Sequence, residues 1–75
     1  MAGLRKRSLT IAGHSTSVSL EDEFWRALKN LSVAQGLSIN ALIERIDQDR
    51  TGNLSSAVRV YVLRQALEVQ VTSTD

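Results

Sequence analysis

The segment between His14 and Ile46 reads as one short strand followed by two amphipathic helices that meet at a single glycine. Polar and apolar residues alternate from His14 to Leu20, with Thr16, Val18 and Leu20 on one face, which predicts a half-buried strand. A single strand leaves both of its hydrogen-bonding edges open and buries too little apolar surface to be stable alone. We therefore predict that it pairs with the same strand of a second chain, because a lone subunit offers it no other partner.

The two helices are predicted from about Glu21 to Gln35 and from Ser38 onward. Acidic residues in the first turn of the first helix suit its macrodipole, Gly36 suits the left-handed position after its last turn, and Ser38 suits the N-cap of the second. Apolar residues at helical spacing predict the buried stripe of each helix. In the first helix these are Phe24, Ala27, Leu28, Leu31 and Ala34, with Trp25 at the margin, and in the second they are Ile39, Leu42, Ile43 and Ile46.

A third helix is predicted from about Leu54 to Val69, after a polar break at residues 49–53, with Asn53 or Ser55 as its N-cap. Its apolar stripe comprises Leu54, Ala57, Val58, Tyr61, Val62, Gln65, Ala66 and Val69. The stretch from Val71 to Asp75 has no pattern, and we expect it to fray. Tyr61, Val62 and Leu67 could pack back on the dimer or present a face to a partner protein, and Leu63, which lies off the stripe, slightly favours an additional contact.

Residues 1–13 are interpreted as an N-terminal arm. Arg5, Lys6 and Arg7 are adjacent, and no acidic residue occurs before Glu21, so the positive charge lies at the end that contains the strand. Two alternatives are open for this arm. It is either disordered until it meets a partner, or it extends the strand into a longer twisted ribbon with a bulge at Gly13.

Length and composition exclude several classes of protein. The chain has 75 residues and no cysteine, so it is one small domain without disulfides, and oligomerisation is the remaining way to stabilise it. A single histidine, His14, argues against an enzyme or a metal site, and no glycine-rich phosphate loop is present. We expect no cofactor. No apolar stretch approaches the length of about 18 residues that a membrane span needs, and we expect the protein to be cytoplasmic.

The order of strand, helix, glycine turn and helix resembles the ribbon-helix-helix family, the Arc/MetJ-like class of repressors. The resemblance rests on residues 18–20 at the end of the strand, on residues 36–40 at the turn, and on the spacing between Leu20 and Gly36. It covers roughly residues 14–47. Residues 5–14, 16–21 and 52–57 further resemble a group of short bacterial ribbon-helix-helix proteins, which are regarded as DNA-binding because of their fold.

The resemblance implies a mainly α-helical, intertwined homodimer with one two-stranded antiparallel β-ribbon, to which this chain adds a C-terminal helix. The expected segments are the basic arm at 1–13, the ribbon-helix-helix core at 14–50, and the C-terminal helix and tail at 51–75. The ribbon would enter the major groove of double-stranded DNA. The expected base contacts are Ser15, Ser17 and Ser19, and the expected phosphate contacts are Arg5, Lys6, Arg7 and the backbone at Ser38, Ile39 and Asn40. The expected dimer core comprises Val18, Leu20, Phe24, Leu28, Leu31, Ile39, Ile43 and Ile46.

One departure from the family's chemistry keeps a second function open. Bidentate side chains such as Arg and Asn identify bases, whereas this strand offers serines, which are short and can either donate or accept a hydrogen bond. The leading hypothesis is a DNA-binding transcriptional regulator of the repressor type. The alternative is a protein-interaction or antitoxin-like adaptor dimer that uses the C-terminal helix and binds DNA weakly or without specificity. Fold alone does not decide between them.

Overall fold

The computed structural model describes residues 3–49 and 52–73, with the side chains of the last helix described as far as Glu68. Two strands precede three helices. The elements are β1 (Leu4–Ile11), β2 (His14–Glu21), α1 (Asp22–Ala34), α2 (Ile39–Asp49) and α3 (Leu54–Ser73). This order confirms the predicted strand at 14–20, the two helices that follow it and the added C-terminal helix.

β1 and β2 form an antiparallel hairpin within one chain, in a register that runs from Leu4 opposite Glu21 to Ile11 opposite His14. The two-residue turn has positive φ at both positions, 52° at Ala12 and 83° at Gly13, the geometry whose twist matches that of two antiparallel strands. The prediction that β2 lacks a partner in its own chain is therefore wrong. Residues 4–11 also differ from both alternatives for the arm, because Gly13 lies in a turn and the strands pair without a bulge.

The predicted helix ends agree with the observed caps. Gly36 has a φ of +71° just after α1, and the Leu37 N–H donates to the carbonyl oxygen of Ser32 at 2.8 Å. Ser38 caps α2 by accepting a hydrogen bond from the Ala41 N–H at 3.0 Å. Of the two candidates for α3, Asn53 is the cap, since its side-chain oxygen accepts from the Ser56 N–H at 3.1 Å.

A hydrophobic core closes within the single chain, between the inner face of the hairpin and the three helices. Its buried members are Ile11, Val18, Leu20, Trp25, Leu28, Leu42, Ile43, Ile46, Leu54, Val58 and Val62. Among the described residues, no buried side-chain nitrogen or oxygen lacks a hydrogen-bond partner. The second chain was expected to be necessary for burial, but each of these side chains is covered by its own chain.

The buried face of α1 differs from the predicted stripe. Trp25, Leu28 and Ser32 are the buried residues of this helix, whereas Phe24 is half-buried and Ala34 is exposed. The cause is β1. The indole Nε1 of Trp25 donates to the carbonyl oxygen of Arg5 at 2.9 Å, so the strand covers the tryptophan that periodicity alone placed at the margin.

α3 packs one face on the core and leaves the opposite face exposed. Leu54, Val58 and Val62 are buried at a spacing of four residues, as predicted. Ala66 of the predicted stripe is exposed, and the Val69 side chain lies outside the described residues. The helix continues to Ser73, beyond its predicted end, while Thr74 and Asp75 of the expected frayed tail also lie outside the described residues.

Candidate nucleic-acid interface

The outer face of the hairpin is polar from Lys6 to Thr10 on β1 and from Ser15 to Ser19 on β2, and beyond this stretch it carries the exposed Leu4 opposite Glu21. Val18 and Leu20 point inward and are buried, so strand alternation places Ser15, Ser17 and Ser19 on the opposite face. Ser15 and Ser17 are exposed, and Ser19 is half-buried. Across the ladder, the same face carries Thr10 opposite Ser15, Ser8 opposite Ser17 and Lys6 opposite Ser19. The result is a two-stranded surface of hydroxyl groups with one lysine.

The structure divides the basic triplet of residues 5–7 between the two faces of the hairpin. Lys6 lies on the outer face with the serines, while Arg5 and Arg7 alternate to the inner side. Arg5 pairs with Asp22 at 2.9 Å in a solvent-exposed ion pair. The Arg7 guanidinium carbon lies 4.9 Å from the centre of the Trp25 ring. Both arginines are exposed, but each already has a partner on α1.

The N-terminus of α2 is attached to the end of β1. The Asn40 side-chain amide donates to the carbonyl oxygen of Thr10 at 3.0 Å. The Glu44 carboxylate accepts from the Ala12 N–H at 3.3 Å, at the hairpin turn. Backbone N–H groups in the first turn of a helix have no acceptor within that helix, so those of Ile39 and Asn40 remain able to bind an anion beside the hairpin.

α3 covers part of the outer edge of β2. The Ser19 N–H donates to the Ser55 hydroxyl at 3.0 Å, and the Arg59 Nη2 donates to the Ser19 carbonyl oxygen at 3.3 Å. Arg59 also pairs with Glu21 through Nε at 3.0 Å. The pKa of Glu21 is lowered from its ordinary value of 4.5, first by a hydrogen bond from its own backbone N–H and then by Arg59.

The expected dimer-core residues divide into two groups in the single chain. The buried members are Val18, Leu20, Leu28, Ile43 and Ile46. Phe24, Leu31 and Ile39 are half-buried against the core and keep part of their surface accessible to another molecule. This second group is the part of the expected dimer core that a partner chain could still cover.

The sequence did not predict that Lys6, Ser8 and Thr10 lie on a strand opposite the serines, where they form the other half of the outer face. A signal was present. Two alternating runs, at 8–11 and 14–20, are separated by two residues of which the second is glycine. This signal was weak, because alanine rarely adopts the positive φ that the first turn position requires. Ala12 therefore does not indicate a hairpin turn.

Within the described ranges, two further observations bear on function. No cluster of three or more histidine, aspartate or glutamate side chains is arranged to hold a metal ion. None of the helices in those ranges combines the length and the apolar character needed to cross a membrane.

Comparison with known proteins identifies the family. A model of the ribbon-helix-helix domain matches residues 4–66. Among solved structures, an uncharacterized protein from Bordetella pertussis Tohama I is similar, with 33% identity, a TM-score of 0.76 and alignment over 91% of this chain. This chain spans 60% of the length of that one. No curated protein matches. Since the domain model covers both strands, α1, α2 and most of α3, the chain belongs to the ribbon-helix-helix domain family.

Proposed function

We propose that this protein is a DNA-binding transcriptional regulator of the repressor type, which acts as a homodimer and places a β-ribbon in the major groove. Ribbon-helix-helix domains are in general DNA-binding regulators, which supports the coarse assignment. The observation that carries the proposal is the outer face of the hairpin, which is polar and exposed at Ser15 and Ser17 and lies beside the N-terminus of α2. The protein occupies an operator and catalyses no reaction.

In this proposal the exposed side chains have separate roles. Ser15 and Ser17, with Ser19 behind them, face base edges, where hydroxyl groups donate or accept hydrogen bonds. The N–H groups of Ile39 and Asn40 bind a phosphate, and Ser38 stabilises the turn that presents them.

The width of the sheet favours the DNA backbone as the contact of Lys6. If two hairpins join through β2, four strands span roughly 14 Å, because neighbouring strands lie about 4.8 Å apart. The major groove is about 12 Å wide, so it admits the two central strands, and each β1 lies over a groove wall. Lys6 on the outer face of β1 then meets phosphates, and Arg5 and Arg7 contribute long-range positive charge from the far side.

Selection of bound sequences from random duplex DNA with the purified full chain tests the proposal. We expect one enriched sequence with approximate twofold symmetry, because a symmetric dimer reads two half-sites. The Ser17→Ala variant should change the preferred bases, whereas Ser56→Ala, an exposed serine on α3, should leave them unchanged. Binding with no preference for any sequence would reject the regulator.

One observation favours a second function, that of an adaptor or antitoxin-like dimer. The outer face of α3 exposes Val60 by 43%, Leu63 by 55% and Leu67 by 49%. Beside it, α2 and α3 border an open cavity of about 530 Å³, with Leu42, Ile46 and Tyr61 among its lining residues. A groove of this kind suits an amphipathic helix of a partner protein.

The adaptor function makes a distinct prediction. Duplex DNA shows no sequence preference, and capture of a partner protein is abolished by Leu63→Glu with Leu67→Glu. Val33→Glu is the control, because Val33 is 69% exposed on α1 and away from this groove. A partner lost equally from the control variant would count against α3 as the binding surface.

A cytoplasmic location, like the division into three segments at residues 13 and 50, remains a prediction from the sequence.

A further inference from the structure

The outer edge of β2 consists of a closed part and an open part. At the closed part, α3 satisfies both backbone groups of Ser19, through the Ser55 hydroxyl and the Arg59 guanidinium. Arg59 is in turn held by Glu21 at 3.0 Å. A strand that paired with β2 at Ser19 would have to displace these contacts.

The open part lies at Ser15 and Ser17. Residues two apart on a strand direct their backbone groups to the same edge, so Ser15 and Ser17 present theirs on the side where Ser19 meets α3. The hairpin register agrees, because it places β1 on the opposite side of β2. In the part of the chain that the structure describes, no group bonds to Ser15 or Ser17 at this edge. Their side chains are exposed as well.

We propose that Ser55 and Arg59, by holding Ser19, set the register in which β2 pairs with a second copy of this chain, and that Ser15 then lies opposite Ser17 of the partner subunit. The proposal rests on the dimeric ribbon of the proposed function and specifies its geometry. The twofold axis passes beside Thr16, which faces the partner subunit's Thr16.

The number of hydrogen bonds favours this register over the neighbouring one, in which Ser17 lies opposite Ser17 of the partner subunit. With Ser15 opposite Ser17, two symmetric residue pairs each exchange two hydrogen bonds, and Ser19 stays bonded to α3. With Ser17 opposite itself, only the central pair forms unless Ser19 is released. Release restores the outer pairs but removes the acceptor and the donor that α3 supplies to the Ser19 backbone.

This register also assigns a role to each serine. Ser15 and Ser17 of both chains lie together on the outer face at the centre of the shared sheet. Ser19 is half-buried beside α3, where its backbone anchors that helix. The contribution of Ser55 and Arg59 is positional, because neither side chain touches the DNA in this arrangement.

Single cysteines measure the register directly, because the chain has no cysteine of its own. Residues directly opposite across a strand pair have Cα atoms about 4.5–5.5 Å apart, within the range of a disulfide, while residues displaced by two positions are roughly 8 Å apart, which is too far. We expect Thr16→Cys to form a disulfide-linked dimer on mild oxidation and Ser17→Cys to remain unlinked. Efficient linkage of Ser17→Cys with none for Thr16→Cys overturns the proposed register.

The α3 contacts are tested in the same assay. Adding Ser55→Ala with Arg59→Ala should shift linkage from the Thr16→Cys background to the Ser17→Cys background. The matched control is Ser56→Ala with Arg64→Ala, two exposed residues of the same types on the same helix, which should shift nothing. If the double variant does not fold, as judged by circular dichroism, Ser55→Ala alone removes the acceptor of the Ser19 N–H and provides the same readout. Linkage that does not respond to these changes overturns the role of α3.

Duplex DNA binding by the unmodified protein separates this inference from the proposed function. Sequence-specific binding by a protein that sediments as a monomer and links at neither cysteine overturns the shared edge but leaves the regulator standing. Linkage of Thr16→Cys together with no DNA binding by the unmodified protein supports the edge and rejects the regulator.

Discussion

Single side chains in this protein have roles that their neighbours in the sequence do not share. Arg5, Lys6 and Arg7 are adjacent basic residues, yet the alternation of the strand directs Lys6 to the polar face and the two arginines to α1. Ser55 and Ser56 are adjacent as well, but only the Ser55 hydroxyl reaches β2. A residue's role here depends on its direction within its element.

Lys6→Ala should weaken DNA binding at all sequences. Each phosphate contact contributes about 0.9 to the slope of log affinity against log salt concentration, so losing Lys6 from both chains of a dimer should flatten the slope by about 2. Anisotropy titrations over a range of salt concentrations measure it. Lys29→Ala, an exposed lysine on α1, is the control. Equal slopes for the Lys6 variant and the wild type would place Lys6 away from the backbone.

Glu21→Gln should remove a pH-dependent part of the stability. Because the pKa of Glu21 is lower in the folded chain than its ordinary value of 4.5, the carboxylate stabilises the fold above that pH. This contribution is lost as the pH falls through the folded pKa. Denaturant unfolding at pH 3 to 7 should therefore show a shallower acid loss in the variant. An unchanged pH profile would mean that neither the backbone hydrogen bond of Glu21 nor its contact with Arg59 persists in solution.

At the scale of elements, the hairpin depends on its turn. Ala12 and Gly13 both have positive φ, and a side chain at Gly13 would meet no atom within 4 Å, so the cost of substitution there comes from the backbone alone. The turn therefore gives a direct test of whether β1 folds onto β2 of its own chain.

Gly13→Ala should lower the free energy of unfolding by roughly 1–2 kcal/mol, because a side chain disfavours the left-handed region. Ala12→Asn should raise it, since asparagine tolerates positive φ and suits the first turn position. Chemical denaturation of the two variants and the wild type gives both signs. If neither variant differs from the wild type, residues 4–11 do not form this hairpin in solution.

At the scale of the whole molecule, α3 completes the core of a single chain. It buries three aliphatic residues against the hairpin and the other helices, while its opposite side exposes Val60, Leu63 and Leu67. One apolar side of α3 forms part of the core of its own chain, and the other is the surface that the adaptor proposal assigns to a partner protein.

Two valines on α3 lie on different faces of the helix, one in the core and one on the exposed side. Val58 is fully buried and Val60 is 43% exposed. Val58→Ala should cost roughly 1.5–3 kcal/mol, from the lost burial of two methyl groups and the cavity left behind. Val60→Ala should stay within about 0.5 kcal/mol, because surface changes are small. Thermal or denaturant unfolding measures the pair, and similar costs at the two sites would contradict the packing of α3.

Local patterns were sufficient to predict much of this structure. The caps at Ser38 and Gly36 and the buried residues Leu42, Ile43 and Ile46 follow from residue types and helical spacing within one element. The serine face of β2 also follows from strand alternation, so these candidate contacts could be named from the sequence. Their action on bases and phosphates remains a prediction.

What only the tertiary structure decided is which segments meet. Alternation at 8–11 allows a strand, but its pairing with β2 depends on an Ala-Gly turn, and that pairing places Trp25 in the core and Lys6 beside the serines. Likewise, Ser55 is chemically suited to cap α3, yet its hydroxyl accepts from Ser19, which is distant in sequence. Periodicity reports which face of an element is buried, whereas its partner depends on contacts between segments far apart in the chain, which no local pattern encodes.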